Sequence, residues 1–403
     1  MRGNELLDKM ELVDPAYVEA ADTKPKKKIV RIRQIAVAAC FALTIFAWAS
    51  FSPQDTPDDT ANLPMLSIAE SAEGMGYEGY MAYDISELVN ANPWNEDSEL
   101  TALPVYQNSL TYDENFVASG ADSGKMKLFL LEVAGRLGLD ANNLKVTDNA
   151  PDEESKQKMI EKFQSVNDTV PDGYFNPTEL IIDADGLKIE VDQTMTATVS
   201  FDPAVSLPDK YHFTHYASYD DMVAVAEYLK KNYKEFIGFD KPQVNIYGGD
   251  YNIYDQQKYS IEFFNASGNK IEQMINYNFN RVTFHCDDEG KLFIARVYQP
   301  DLSKKVGDYP IINREQAREL LLNGSYLTTV PYEISGPEYV KKVELIYRTG
   351  EHEQYFMPYY RFYVELPEEE MENGRKTYGA YYVPAVDRSY ISNMPTWDGS
   401  FNY

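Results

Sequence analysis

The run Ser218-Tyr-Asp-Asp-Met-Val-Ala-Val-Ala-Glu-Tyr-Leu-Lys-Lys231 reads as a helix, and the segments after it read as strands. Met222, Val225, Ala226 and Leu229 recur at three- and four-residue spacing, which gathers them on one helical face. Ser218 stands where an N-cap hydroxyl would accept an N–H of the first turn. Strands are expected at Gln243–Tyr247, Tyr259–Phe264, Ile271–Phe284 and Lys291–Tyr298. The turn-forming runs Asn265-Ala-Ser-Gly-Asn269 and Asp287-Asp-Glu-Gly290 separate them. A helix followed by antiparallel strands is an α+β unit.

The same pattern recurs on both sides. Upstream, Lys125–Leu137 places Met126, Phe129, Leu130, Val133 and Leu137 on one face, with Gly138 as its stop. Leu180–Val191 is a hairpin whose Asp185-Gly186 pair suits a type I′ turn. Downstream, Asn313 caps a helix over Arg314–Leu322 with Ala317, Leu320 and Leu321 apolar, and strands follow at Val340–Arg348, Tyr359–Leu366 and Thr377–Pro384. The helices begin near residues 125, 220 and 314, a regularity that predicts three related units over 111–215, 216–305 and 306–403.

Ahead of this body lies Ile35-Ala-Val-Ala-Ala-Cys-Phe-Ala-Leu-Thr-Ile-Phe-Ala-Trp-Ala-Ser-Phe51, without charge or proline. As a helix it spans about 26 Å, close to a bilayer core of about 30 Å. The expectation is a transmembrane helix over 29–51. Arg31 and Arg33 would snorkel at its inner end, Ile35, Phe41, Leu43, Ile45 and Phe46 would meet lipid, and Trp48 would sit at the outer interface. Ala47-Trp-Ala49 leaves cleavage as a signal peptide open. Val37-Ala-Ala-Cys40 matches a lipobox locally, but the apolar run continues past the cysteine.

Six bases and no acid over Lys24–Arg33 put residues 1–28 in the cytoplasm and the bulk of the chain outside, a single-pass cell-membrane topology. Within 1–28, Leu6, Leu7, Met10, Val13 and Tyr17 form the candidate partner-binding stripe. Residues 52–110, with Ser52-Pro-Gln-Asp-Thr-Pro-Asp-Asp-Thr60 and Glu73-Gly-Met-Gly-Tyr-Glu-Gly-Tyr80, carry no periodic signal and are expected to be a flexible stalk.

Composition narrows the function. Sixty-four acids against 37 bases give a net charge of −27, which repels phosphate backbones, so nucleic acid is not an expected partner. Cys40 lies in the apolar run and Cys286 is the one thiol of the body, so no disulfide is expected there. The 32 tyrosines fit a tyrosine-rich sheet core, or else an aromatic surface for cell-wall glycan or peptide built on Tyr359, Tyr381 and Tyr382.

Val343-Glu-Leu-Ile-Tyr-Arg348, Met357-Pro-Tyr-Tyr-Arg-Phe-Tyr-Val-Glu-Leu366 and Lys376-Thr-Tyr-Gly-Ala-Tyr-Tyr-Val-Pro-Ala385 resemble the strands of extracytoplasmic bacterial proteins with PepSY-like units. These include membrane regulators attached to the WalK-type sensor kinase. Tyr309-Pro-Ile-Ile-Asn-Arg-Glu-Gln-Ala317 is similar to the lead into the helix of such a unit. The opening Gly3-Asn-Glu-Leu-Leu-Asp-Lys-Met10 with Asp14-Pro-Ala-Tyr17 resembles membrane proteins of Gram-positive anaerobes paired with sigma factors. The resemblance implies a regulatory protein with a sigma factor or sensor kinase as partner. It carries no catalytic residue.

The search for chemistry is short. His212-Phe-Thr-His215 reads as extended, where positions i and i+3 face opposite ways and do not share a metal. His285-Cys286 are strand neighbours and likewise diverge. Asp183-Ala-Asp185-Gly186 and Asp287-Asp-Glu-Gly290 lack the spacing of a calcium loop and read as hairpin turns. Glu368-Glu-Glu370 and Glu372 read as a solvated loop. No P-loop, G-x-S-x-G, H-E-x-x-H or C-x-x-C pattern occurs. The expectation is a regulatory or sensory protein that acts by protein or ligand binding, without cofactor, metal or enzymatic activity. An anti-sigma-like role is one version, and a cell-wall glycan or peptide module is the alternative.

Overall fold

The structure, a computed structural model, describes residues 63–68, 81–82, 90–112, 118–171, 173–214, 217–251, 254, 256–328, 330–370, 374 and 376–397. All lie in the second of the two units into which the chain divides, Asp58–Tyr403.

Strand β1 (Ala102–Gln107) leads to helix α1 (Ser123–Arg136), whose first turn is capped by Asp122 accepting from the Lys125 N–H at 3.0 Å. A four-strand meander follows: β2 (Thr147–Asp148), β3 (Glu179–Ala184), β4 (Leu187–Asp192) and β5 (Thr196–Val205). Helix α2 (Glu153–Ser165) sits between β2 and β3 and buries none of its residues. The β3–β4 turn has φ of 53° at Asp185 and 78° at Gly186, the two left-handed residues that a type I′ connection requires.

The plan then repeats. Helix α3 (Tyr219–Asn232) opens with a reciprocal capping box between Ser218 and Asp221, and short α4 (Lys234–Ile237) extends it. The second meander is β6 (Pro242–Tyr251), β7 (Gln257–Asn265), β8 (Arg281–Cys286) and β9 (Leu292–Tyr298), with helix α5 (Lys270–Phe279) between β7 and β8. Sequence periodicity predicts one strand over Ile271–Phe284. The structure instead closes a capping box between Asn269 and Glu272, makes a helix through Phe279 and starts the strand at Arg281. Asn-x-x-Glu is the helix-start signal that the turn-like run before it conceals.

The two meanders join last strand to last strand. β5 pairs antiparallel with β9, Val199 opposite Ala295 and Thr198 opposite Arg296, which gives one eight-stranded sheet in the order β2-β3-β4-β5-β9-β8-β7-β6. Strands from the two expected units 111–215 and 216–305 therefore share a sheet. Side-chain alternation sends Ile182, Ile189, Val191, Val199, Ile261, Phe263, Val282, Phe284, Ala295 and Val297 to one face. There they pack under Leu130 and Val133 of α1 and Val225 and Leu229 of α3 in a single core. The other face carries Thr196, Thr198, Ser200, Thr283, His285, Ile294 and Arg296, all part-buried or exposed.

The remaining elements are β10 (Lys305–Pro310), α6 (Arg314–Leu322), β11 (Leu327–Thr328), β12 (Val340–Tyr347), β13 (Tyr355–Phe356), β14 (Pro358–Glu365) and β15 (Tyr378–Pro384). β12, β14 and β15 are consecutive antiparallel neighbours, with β11 and the pair Met81–Ala82 also on β15. Asn313 and Gln316 form the α6 capping box. Ala317 and Leu321 of α6 pack with Leu345, Tyr360, Phe362, Val364, Tyr381 and Val383 on one face. The opposite face, with Ile346, Tyr359, Ala380 and Tyr382, is covered by Leu66, Ile68, Val105 and Tyr309. Residues 63–68 and 90–107, in the stretch expected to be a stalk, are thus packed here: Leu66, Leu103 and Val105 are fully buried.

The expected fold class is corrected in one respect. Among the described residues no helix is long and apolar enough to cross a membrane. The longest, α1 and α3, have 14 residues each and reach only about 21 Å, short of a bilayer core. The expected span 29–51, with Arg31, Arg33, Ile35, Phe41, Leu43, Ile45, Phe46 and Trp48, lies outside the described residues, as do Leu6, Leu7, Met10, Val13 and Tyr17. What the structure describes is an α+β body, mostly sheet.

Tyrosine hydroxyls tie these layers together. Tyr347 donates to the Pro104 carbonyl at 2.8 Å and Tyr309 to that of Pro64 at 2.8 Å. Tyr360 donates to Ile312 at 2.9 Å and Tyr381 to Tyr332 at 2.7 Å. Replacing Tyr347 with Phe removes a buried donor while keeping the ring, and should lower stability by about 1 kcal/mol. Urea denaturation should show a lower midpoint with an unchanged slope; an unchanged midpoint would mean the hydroxyl contributes nothing.

Candidate functional site

Among the described residues, polar side chains gather in a cleft at the end of the eight-stranded sheet, in a buried ionic cluster on β12–β14–β15 and in a second cleft beside α6, among other places. The first has a volume of about 450 Å³ and is lined by Phe213, Thr214, Met222, Tyr259, Ser260, Phe284, His285, Cys286, Asp287, Asp288, Phe293, Ile294 and Arg296. Its shape comes from two irregularities. The β8–β9 register shifts between His285 and Cys286, and the β9–β5 register shifts between Leu292 and Ile294. Such bulges re-aim side chains at strand ends. The turn between them is fixed by Asp287, whose Oδ1 accepts from the N–H groups of Glu289 at 2.9 Å and Lys291 at 2.8 Å. Gly290 has φ of 76°, and a Cβ there would stand 2.8 Å from the Thr214 methyl carbon. Glycine is therefore what lets the Phe213–Thr214 segment lie against the turn and close the cleft on that side.

Beside the cleft, Thr283 Oγ1 lies 3.2 Å from Nε2 of His285, which lines it. The carboxylate beside His285-Cys286, that of Asp287, is held by the turn's own amides. Among the described residues no group of His, Cys, Asp and Glu is arranged to hold a metal ion. His212 is exposed, and His215 lies outside the described residues. The cleft therefore offers aromatic and aliphatic walls, a few hydroxyls, an imidazole, a thiol, two carboxylates and one guanidinium: the means of holding a molecule.

The ionic cluster concerns the tyrosines expected to bind ligand. Tyr359, Tyr381 and Tyr382 are 0%, 0% and 1% exposed, which corrects the expectation of an aromatic surface. Their sheet is covered on both faces, so alternation along β15 sends Tyr381 and Tyr382 into two different cores. Tyr359 and Tyr382 hold a residue of the chain itself: the Arg348 guanidinium carbon lies 5.3 Å from each ring centroid. Arg348 Nη2 is 2.9 Å from Glu353 Oε1, with both side chains buried.

On the same strands Glu344 is buried and meets Arg361 at 2.7 Å, Lys342 at 2.8 Å and the Asn90 amide at 2.6 Å. Burial pushes its carboxyl up. The Arg361 and Lys342 charges and hydrogen bonds outweigh that and hold it down at about 2. Arg361 stands directly opposite Glu344 in the ladder, a pairing no local sequence signal announces.

The second cleft, of about 320 Å³, is lined by Arg314, Arg318, Lys341 and Lys342 with Glu96, Glu315, Val340, Val343 and Phe362. Its cations are engaged by the protein. Arg314 pairs with Glu96 and Glu315, Lys341 with Glu365 at 3.2 Å, Lys342 with Glu344, and Arg318 donates to the Pro337 carbonyl at 2.6 Å. In the expected solvated acidic loop Glu368 and Glu370 are exposed, while Glu369 is half-buried and accepts from Tyr332; Glu372 lies outside the described residues. Compared with known proteins, the chain is matched by no family model and by no curated relative.

Replacing Arg348 with Met removes the guanidinium that pairs with the buried Glu353 carboxylate and should cost about 3–5 kcal/mol. The double replacement Arg348→Met with Glu353→Leu should recover most of it in denaturant titrations; equal losses in both variants would show that the pair is not the source. For Glu344, the folded carboxyl titrates below its ordinary 4.5. The stability it contributes is complete above about pH 4.5 and is lost as pH falls toward 2. Glu344→Gln should flatten the stability–pH curve in that window, and an unchanged acid limb would remove Glu344 as its cause.

Proposed function

We propose that this chain is a binding protein with a regulatory or sensory role, whose body takes a small ligand in the cleft beside the Asp287–Lys291 turn. It acts by occupancy and not by turnover. The observation that carries this reading is the cleft: about 450 Å³, within the range of small-molecule sites of roughly 300–1,000 Å³. It is lined by apolar side chains that include Phe213, Phe293 and Ile294 and by polar ones that include His285, Asp287, Asp288 and Arg296. A pocket of that composition favours a molecule that presents both apolar surface and oriented polar atoms.

The regulatory half of the reading is supported by the resemblance of the C-terminal strands to kinase-attached and sigma-factor-linked regulators. A sensor kinase or a sigma factor is accordingly the proposed class of protein partner. The glycan alternative has lost its expected surface, because Tyr359, Tyr381 and Tyr382 are interior.

Ligand binding to the folded state alone raises stability, by about 2.7 kcal/mol at one hundred times the dissociation constant. Melting curves of the full chain should therefore shift upward by several degrees with at least one fraction of cellular small molecules. The shift should vanish in Ser260→Trp, which fills the cleft. If no fraction moves the wild-type curve, or the variant responds equally, the cleft is not a ligand site.

A further inference from the structure

We infer that the cleft selects an oxyanion: its ligand joins a flat apolar body to a carboxylate or sulfonate that Arg296 binds. This rests on the reading of the cleft as a ligand site. The register isolates Arg296 among acids. The cross-strand row through it runs Glu190, Thr198, Arg296, Thr283, Glu262, so both of its direct neighbours are threonines. The carboxylates of that row stand two strands away, about 9.5 Å. Each is already engaged, Glu190 with Lys188 at 2.5 Å and Glu262 with Arg281 at 3.4 Å. Arg296 is exposed, and its guanidinium makes no hydrogen bond or ion pair with any described residue.

In a chain with 64 acids and 37 bases many cations are drawn into pairs, as in the cleft beside α6. The one on this cleft floor is kept from them by its threonine neighbours. Asp287 and Asp288 do not take the place of a partner. Thr283, opposite Arg296, lies four residues from Asp287 along β8. At strand rise the two backbone positions are about 13 Å apart, and neither aspartate forms an ion pair with Arg296.

The geometry also says how the ligand lies. Ile294 is two residues before Arg296 and shares its face, and both line the cleft together with Ser260 and Phe293. An apolar body over Ile294 brings a terminal oxyanion to the guanidinium. Its planar fork of donors matches two oxygens at once, a pairing that lysine would not reproduce.

Two dyes test this on the full chain. Anilinonaphthalene sulfonate carries the oxyanion, and phenylnaphthylamine has a similar aromatic body without charge. Both should bind wild type with a fluorescence increase, and Ser260→Trp should abolish both. Arg296→Met keeps the stem and removes the charge. It should weaken the sulfonate roughly tenfold, equivalent to about 1.4 kcal/mol, and change the neutral dye less than twofold, with an unchanged circular dichroism spectrum. If both dyes bind in the cleft and both ignore the substitution, the oxyanion inference fails while the ligand-site reading stands. If neither dye binds, or Ser260→Trp retains both, the ligand-site reading fails and the inference with it.

Discussion

Burying a phenol costs least when its hydroxyl finds an acceptor, and four interior tyrosines of this body meet that condition by reaching backbone carbonyls. Tyr347 and Tyr309 reach the carbonyls of Pro104 and Pro64, and Tyr360 and Tyr381 reach those of Ile312 and Tyr332. Each bond joins a sheet or its neighbour to a strand or connecting segment far away in sequence. The segments so held, 63–68 and 102–107, supply Leu66 and Val105 to the second face of the β12–β14–β15 sheet. With both faces covered, the interior of that sheet can accommodate a guanidinium between two rings, and Arg348 with Glu353 occupies that position.

The parts of this architecture that the sequence discloses are those fixed by near neighbours. The caps Ser218 and Asn313, the apolar stripes of α1, α3 and α6, and the Asp185-Gly186 turn all depend on residues within a few positions of one another. What it conceals depends on distant partners. Residues 63–68 have no periodicity of their own and are ordered by a sheet near residues 345–385. Tyr381 and Tyr382 look like a surface pair because alternation normally exposes one of them; only the second cover, brought by the chain's opening segments, buries both. The Asn269–Glu272 box was legible as a helix start, but a run of turn residues before it and β-compatible residues after it pointed the other way.

The candidate site divides along the same line. His285 and Cys286 attract notice as a local pair, and both do line the cleft. The residue with the clearest physical claim on a ligand is Arg296, which stands in an unremarkable strand sequence. Its isolation appears only when Thr198 and Thr283 are placed on either side of it by the β5–β9 seam and the β8–β9 ladder. That seam also makes one core from two meanders, since Val199 and Ala295 meet there beneath α1 and α3.

The tyrosine ties have a consequence in alkali. Burial pushes Tyr106, Tyr309 and Tyr360 up to about 12 and Tyr347 well above its ordinary value. A free phenol ionises near 10, so the folded chain withholds these protons while an unfolded one would release them. The stability they contribute is whole below pH 10 and drains away as pH climbs toward 12. Phenolate absorbance in the near ultraviolet would therefore rise in two stages, first from rings at the surface and then, together with the collapse of the fold, from rings inside.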